Sequence, residues 1–136
     1  MRAPTGRPRS ILRSRMATPS PEPTFTARVL DRDGLVVVML RGEADVTVAE
    51  VMDAAFDAAA AHPGAIVADL SELEFLDSSG LRALIHAHSR ISSQGRRFGV
   101  ACPASGPVHA VLELTQLHRV MPVHPDRETA ARALRG

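Results

Sequence analysis

The run Ala65-Ile66-Val67-Ala68-Asp69-Leu70 leads through Ser71-Glu72-Leu73-Glu74-Phe75-Leu76 into Asp77-Ser78-Ser79-Gly80-Leu81, and this junction decides the fold. The first six residues read as an apolar strand, the next six as a short crossover, and the last five as the start of a helix. The first turn of a helix leaves backbone N–H groups unpaired and aimed outward. Hydroxyls placed there are well presented, so Ser78 is the leading candidate for the functional group of the chain.

Toward the N-terminus, Phe25-Thr26-Ala27-Arg28-Val29-Leu30 alternates apolar and polar residues, the period of a half-covered strand. Asp31-Arg32-Asp33-Gly34 is turn chemistry with a hairpin signal, and Leu35 to Leu40 is a continuous aliphatic run suited to a strand covered on both faces. These two strands are expected to pair antiparallel. Arg41-Gly42-Glu43-Ala44-Asp45 then leaves the second strand, and Thr47 is placed to cap a helix. Val48, Val51, Met52, Ala55, Phe56, Ala59 and Ala60 give that helix an apolar stripe. His62-Pro63-Gly64 ends it, and the crossover predicts a third strand over 65–70 parallel to the second.

Toward the C-terminus, Leu81, Leu84, Ile85, His88 and Ile91 share a helical face, with Gly95 placed to terminate the helix. Phe98-Gly99-Val100-Ala101 reads as a fourth strand. Val108, Val111, Leu112 and Thr115 mark a short third helix, and Val120-Met121-Pro122-Val123 an edge strand, where Pro is tolerated. Asp126 caps a last helix with Ala130, Ala133 and Leu134 inward. The order predicts an α/β fold: a mixed, mostly parallel sheet of four or five strands packed with about four helices.

Composition bounds the function. The chain of 136 residues is long enough for one domain. All 16 basic residues are Arg, and five of them (Arg2, Arg7, Arg9, Arg13, Arg15) fall in residues 1–15, where there is no acid. Residues 16–136 hold 11 basic and 15 acidic residues, a mildly acidic balance that argues against direct nucleic-acid binding. Residues 1–23 contain five Pro and few apolar residues, so they are expected to form a disordered tail before a domain over 24–136; Met16 is an alternative start. A single cysteine, Cys102, fits a reducing compartment, and no window approaches the ~20 apolar residues of a membrane span. A cytoplasmic location is the expectation.

No His-x-x-x-His, Cys-x-x-Cys or Gly-rich phosphate-binding motif occurs, so neither a metal site nor a cofactor is expected. Of the six histidines, His88 is expected to be partly buried and the others to lie on the surface; Cys102 reads as a small core or loop residue. No acid–base couple stands out, and the chain does not read as an enzyme. Two readings of Asp77-Ser78-Ser79-Gly80 stand side by side. Asp and Ser at a helix start are cap formers, with Asp77 or Ser79 the candidate cap. Alternatively, Ser78 accepts a phosphoryl group, whose charge of about −1.5 to −2 would change the field met by any partner. Asp45 is either a plain connector or a group at the same sheet end that orients Ser78.

Together these pieces resemble the STAS domain, in particular the stand-alone bacterial anti-sigma factor antagonists, from about Phe25 to Leu134. The resemblance is carried by Val67-Ala68-Asp69-Leu70-Ser71 with Phe75-Leu76-Asp77-Ser78-Ser79-Gly80-Leu81, by Gly42-Glu43-Ala44-Asp45, and by Gln94-Gly95 with Val111-Leu112-Glu113-Leu114-Thr115-Gln116-Leu117. Ala44 stands where the family usually has Leu. The resemblance implies that Ser78 is phosphorylated by a partner that is both anti-sigma factor and serine kinase. It also implies that phosphorylation switches off binding and that a PP2C-type phosphatase restores it. Asp45, Asp77, Ser79 and Gly80 are the supporting or partner-binding residues on this reading. STAS domains also serve as nucleotide- or lipid-sensing modules and as parts of transporters, the alternatives without a phosphoswitch.

Overall fold

The computed structural model describes residues 25–32, 34–44 and 49–135. The expectations for residues 1–23, Asp45, Thr47 and Val48 lie outside them. The elements follow in the order β1 (Phe25–Arg32), β2 (Leu35–Ala44), α1 (Ala49–Ala60), β3 (Ala65–Leu76), α2 (Ser78–Ser93), β4 (Phe98–Ala101), α3 (Gly106–Leu114), a 3-10 turn (Leu117–Arg119), β5 (Val123–His124) and α4 (Arg127–Arg135). The five strands lie in the sheet order β1-β2-β3-β4-β5. β1 and β2 pair antiparallel, and every later pairing is parallel, as the crossover helices require.

The sheet has two differently covered faces. Val36, Val38, Leu40, Ile66, Ala68, Leu70 and Val100 pack with Met52, Phe56, Leu84, Ile91, Val108 and Leu112, so α1, α2 and α3 cover one face. Leu35, Val37, Val67 and Ala101 pack with Ala130 and Leu134, so α4 covers part of the other. Contact there is close: a Cβ at Gly99 would stand 3.0 Å from Leu134 Cδ1.

β2 and β3 are longer than the apolar runs indicate. Residues 41–44 and 71–76 are strand rather than connector, paired as Arg41↔Glu72, Gly42↔Leu73, Glu43↔Phe75 and Ala44↔Leu76 through two register shifts. Leu70, Leu73 and Leu76 are all buried on the helix-covered side, a spacing of three that a regular strand cannot supply because its faces alternate every residue. An extra residue in β3 at each shift restores the fit.

Helix faces differ in detail from the periodic stripes. On α1 the buried set is Met52, Ala55, Phe56 and Ala59, while Val51 is 47 % exposed. On α2 the inward residues are Gly80, Ala83, Leu84, Ala87 and Ile91. Leu84 and Ile91 supply the bulk of that face and Gly80, Ala83 and Ala87 are small, while Ile85 is left 38 % exposed. On α4, Ala130 and Leu134 are buried with Ala131 packed beside them, and Ala133 is exposed. The expected edge strand begins later. Gln116 adopts φ 56°, the 3-10 turn buries Leu117, and only Val123–His124 pairs with β4. Pro122 contributes its carbonyl, accepting from Val100 N–H at 2.9 Å.

The turns are held by named groups. Gly95, at φ 76°, follows the end of α2 as expected. Asp126 Oδ1 accepts from Thr129 N–H at 2.7 Å and starts α4. Arg96 donates to Ala60 O at 3.0 Å, to Gly64 O at 2.8 Å and to His62 O, so one guanidinium closes the carbonyl end of α1.

Candidate functional site

The site stands where β3 hands over to α2. Asp77 has extended backbone (φ −102°, ψ −172°), and its Oδ1 accepts from Ser79 N–H at 3.0 Å and Gly80 N–H at 3.1 Å. Its carbonyl accepts from Leu81 N–H at 2.9 Å. Asp77 is therefore the cap, and the choice between it and Ser79 is resolved in its favour. The cap frees Ser78, the first residue of α2, whose side chain is exposed while Ser79 is half-buried and Gly80 buried.

Capping by Asp77 also sets the electrostatics around Ser78. The amides of Ser79 and Gly80 are not open to an anion on Ser78, because a carboxylate already holds them. Ser78 presents its hydroxyl outward beside a fixed negative charge.

The backbone pairing brings Gly42, Glu43 and Ala44 of the second motif to the same place. Ala44 lies opposite Leu76, two residues before Ser78, so β2 ends beside the helix start. Apolar side chains stay uncovered around this end: Phe75 is 47 % exposed three residues before Ser78, and Ile85 lies two turns along α2.

A buried charge that sequence reasoning did not single out lies upstream on β3. Asp69 is 5 % exposed, the only polar side chain among the described residues counted in the core. Its Oδ1 accepts from Ser71 N–H at 3.0 Å and Ser71 Oγ at 2.6 Å, and its Oδ2 from Arg127 Nε at 2.9 Å. An acid inside an aliphatic run was the available signal, since buried carboxylates need partners. Its neighbour Cys102 is buried, and that burial, with the Asp69 charge, pushes its thiol up to about 11.

His88 is half-buried, edge-on to Phe98 with ring centroids 5.7 Å apart, and burial lowers its pKa. His109 and His124 are also half-buried rather than on the surface, since α3 and β5 each turn one side toward the core. Among the described residues no group of three or more His, Cys, Asp or Glu is placed to hold a metal ion, and no helix is long and apolar enough to cross a membrane.

Most of the chain, residues 26–130, fits the model of the STAS domain. The chain is a STAS-domain protein. It is 34 % identical over 113 residues to the anti-sigma-F factor antagonist RsfB of Mycobacterium tuberculosis, covering 80 % of this chain and 91 % of that one. It is 30 % identical over 99 residues to an anti-sigma F factor antagonist of Paenibacillus polymyxa, covering 71 % and 84 % respectively. The crystal structure of an anti-sigma factor antagonist from Mycobacterium paratuberculosis superposes with a TM-score of 0.76 at 34 % identity, covering 82 % of this chain and 95 % of that one. As a STAS-domain protein, the chain has the expected fold class, a mostly parallel five-stranded sheet with four helices among the described residues.

Proposed function

We propose that this STAS-domain protein is an anti-sigma factor antagonist that works as a phosphoswitch and not as an enzyme. In its unphosphorylated form it binds an anti-sigma factor with serine kinase activity, which releases a sigma factor. The kinase then transfers a phosphoryl group to Ser78. Ser78 Oγ bonds to the γ-phosphorus of ATP, the bond to the ADP oxygen breaks, and the hydroxyl proton passes to a base on the kinase. A PP2C-type phosphatase reverses the step by hydrolysis. Asp77 holds the helix start, Ser79 and Gly80 supply the amides it grips, and Asp45 is a partner-binding residue by the family resemblance.

One observation carries the reading: Ser78 is the exposed first residue of a helix whose cap is another residue, so its hydroxyl is free for transfer. The names of the relatives, antagonists of anti-sigma F factors, point the same way. Adding about −1.5 to −2 charge at an exposed residue that a partner must cover would force the partner to desolvate it, at a cost of several kcal/mol.

The test is incubation with an anti-sigma factor kinase from the same genome, ATP and Mg²⁺, followed by intact-mass and binding measurements. One phosphoryl group should appear, Ser78→Ala should abolish it while still binding the kinase, and the phosphorylated protein should not bind. Equal binding by phosphorylated and unphosphorylated protein would remove the switch.

A further inference from the structure

The exposed side chains of α2 form a stripe that begins at Ser78. Ser78, Arg82, Ile85 and Ser89 follow at steps of four, three and four and are all exposed, so they share one helix face. Arg82 stands one turn after Ser78. Helical side chains lean toward the N-terminus of their own helix, so an Arg one turn after residue 78 is within reach of a group carried there. Among the described residues the ion pairs of α2 engage Arg90, with Asp57, and not Arg82. The amides of Ser79, Gly80 and Leu81 are taken by Asp77 and are closed to a phosphoryl group.

We propose that Arg82 is the receiving cation for a phosphoryl group on Ser78, as an intrahelical pair one turn apart. The inference rests on Ser78 being the phosphoacceptor. Anion before cation at a spacing of four is the favourable order on a helix, and guanidinium–phosphate pairs are charge-assisted and bidentate. The pair gives the switch a second effect. Phosphorylation adds negative charge at Ser78 and also withdraws Arg82 from any acidic group on the docking partner. An unphosphorylated stripe of hydroxyl, guanidinium and Ile85 becomes a closed ion pair in front of Ile85.

The experiment places phosphoserine at position 78 during translation, so that no kinase is involved, and follows the phosphate by ³¹P NMR during a pH titration at low salt. The second ionisation should come about 0.3 pH units lower in the otherwise native protein than in Arg82→Gln, the size of an exposed helical ion pair. Arg82→Lys should keep part of the difference, and high salt should shrink it. Thermal melts of the unphosphorylated variants should coincide, since Arg82 is exposed. Superimposable titration curves for the native and Arg82→Gln proteins would overturn the assignment. This titration is independent of whether a kinase modifies Ser78, so it fails or succeeds separately from the phosphoswitch.

Discussion

Arg127 Nε lies 2.9 Å from Asp69 Oδ2, and this ion pair ties the last helix to the middle of the central strand. Asp69 is almost fully buried and Arg127 is 39 % exposed at its side chain, so solvent weakens the attraction without removing the need for it. Replacing Arg127 by Met would leave a buried carboxylate with Ser71 as its remaining donor. The expected loss is about 2 kcal/mol, read from the midpoint of urea unfolding at constant slope. Asp69→Ala should cost about as much, and Asp69→Asn less, because the amide oxygen still accepts. A change within about 0.5 kcal/mol for Arg127→Met would mean the pair only breaks even.

The same residues mark how far the sequence could be read. Strand and helix order followed from aliphatic runs, turn chemistry and helical stripes, and the hairpin, the parallel crossover and the Ser78 helix start are where those signals put them. The extensions of β2 and β3 were hidden because Leu70, Leu73 and Leu76 fit neither the strand period nor a useful helix; only the two register shifts make their spacing sensible. The partner of Asp69 comes from 58 positions away, beyond any local pattern. Val51 and Ile85 looked like core by spacing, yet both lie at the rim, since spacing fixes a helix face but not where the neighbouring layer stops. Arg82 drew no notice because an exposed Arg on a helix resembles any solvated charge; its meaning depends on Asp77 having taken the amides.

Gly64 and Gly34 make a second long-range contact, between the turn before β3 and the β1–β2 hairpin. Gly64 has φ 112°, and a Cβ built on it would stand 2.2 Å from Gly34 O. Backbone cannot give way cheaply, so Gly64→Ala should destabilise the protein by roughly 2–4 kcal/mol through clash and positive φ together. Gly34 has φ 80° with open space around its missing Cβ. Gly34→Ala should therefore show only the left-handed backbone cost, about 1–2 kcal/mol. The comparison is made by thermal unfolding of both variants, and equal losses would show that the contact contributes nothing.

Cys102 gives a pH dependence of known sign. Burial, then the Asp69 charge, raise the thiol from 9.0 to about 11. The native state thus keeps a proton that the unfolded chain releases, so the associated stability is complete below pH 9 and declines as pH rises toward 11. Thermal unfolding across that range should fall more steeply in the native protein than in Cys102→Ala. At neutral pH the folded protein should alkylate far more slowly than the unfolded chain, because the thiolate is scarce and enclosed. Matching slopes for the two proteins would show that the thiol ionises normally.

Asp77 and Ser78 are adjacent but separable, and that separation is the sharpest check on the site. Asp77 Oδ1 satisfies two amides of α2, so Asp77→Ala should cost about 1 kcal/mol in denaturant unfolding, the usual value of a side-chain cap. Asp77→Asn keeps the acceptor and should cost much less. Ser78 caps nothing in this arrangement, and Ser78→Ala should stay within about 0.5 kcal/mol of the native protein. In the kinase assay the pattern should invert. Ser78→Ala should lose phosphorylation completely, while Asp77→Asn, with the helix start intact, should still be modified. A Ser78→Ala protein as destabilised as Asp77→Ala would return Ser78 to a structural role, since a hydroxyl spent on holding the helix is not free to be transferred to.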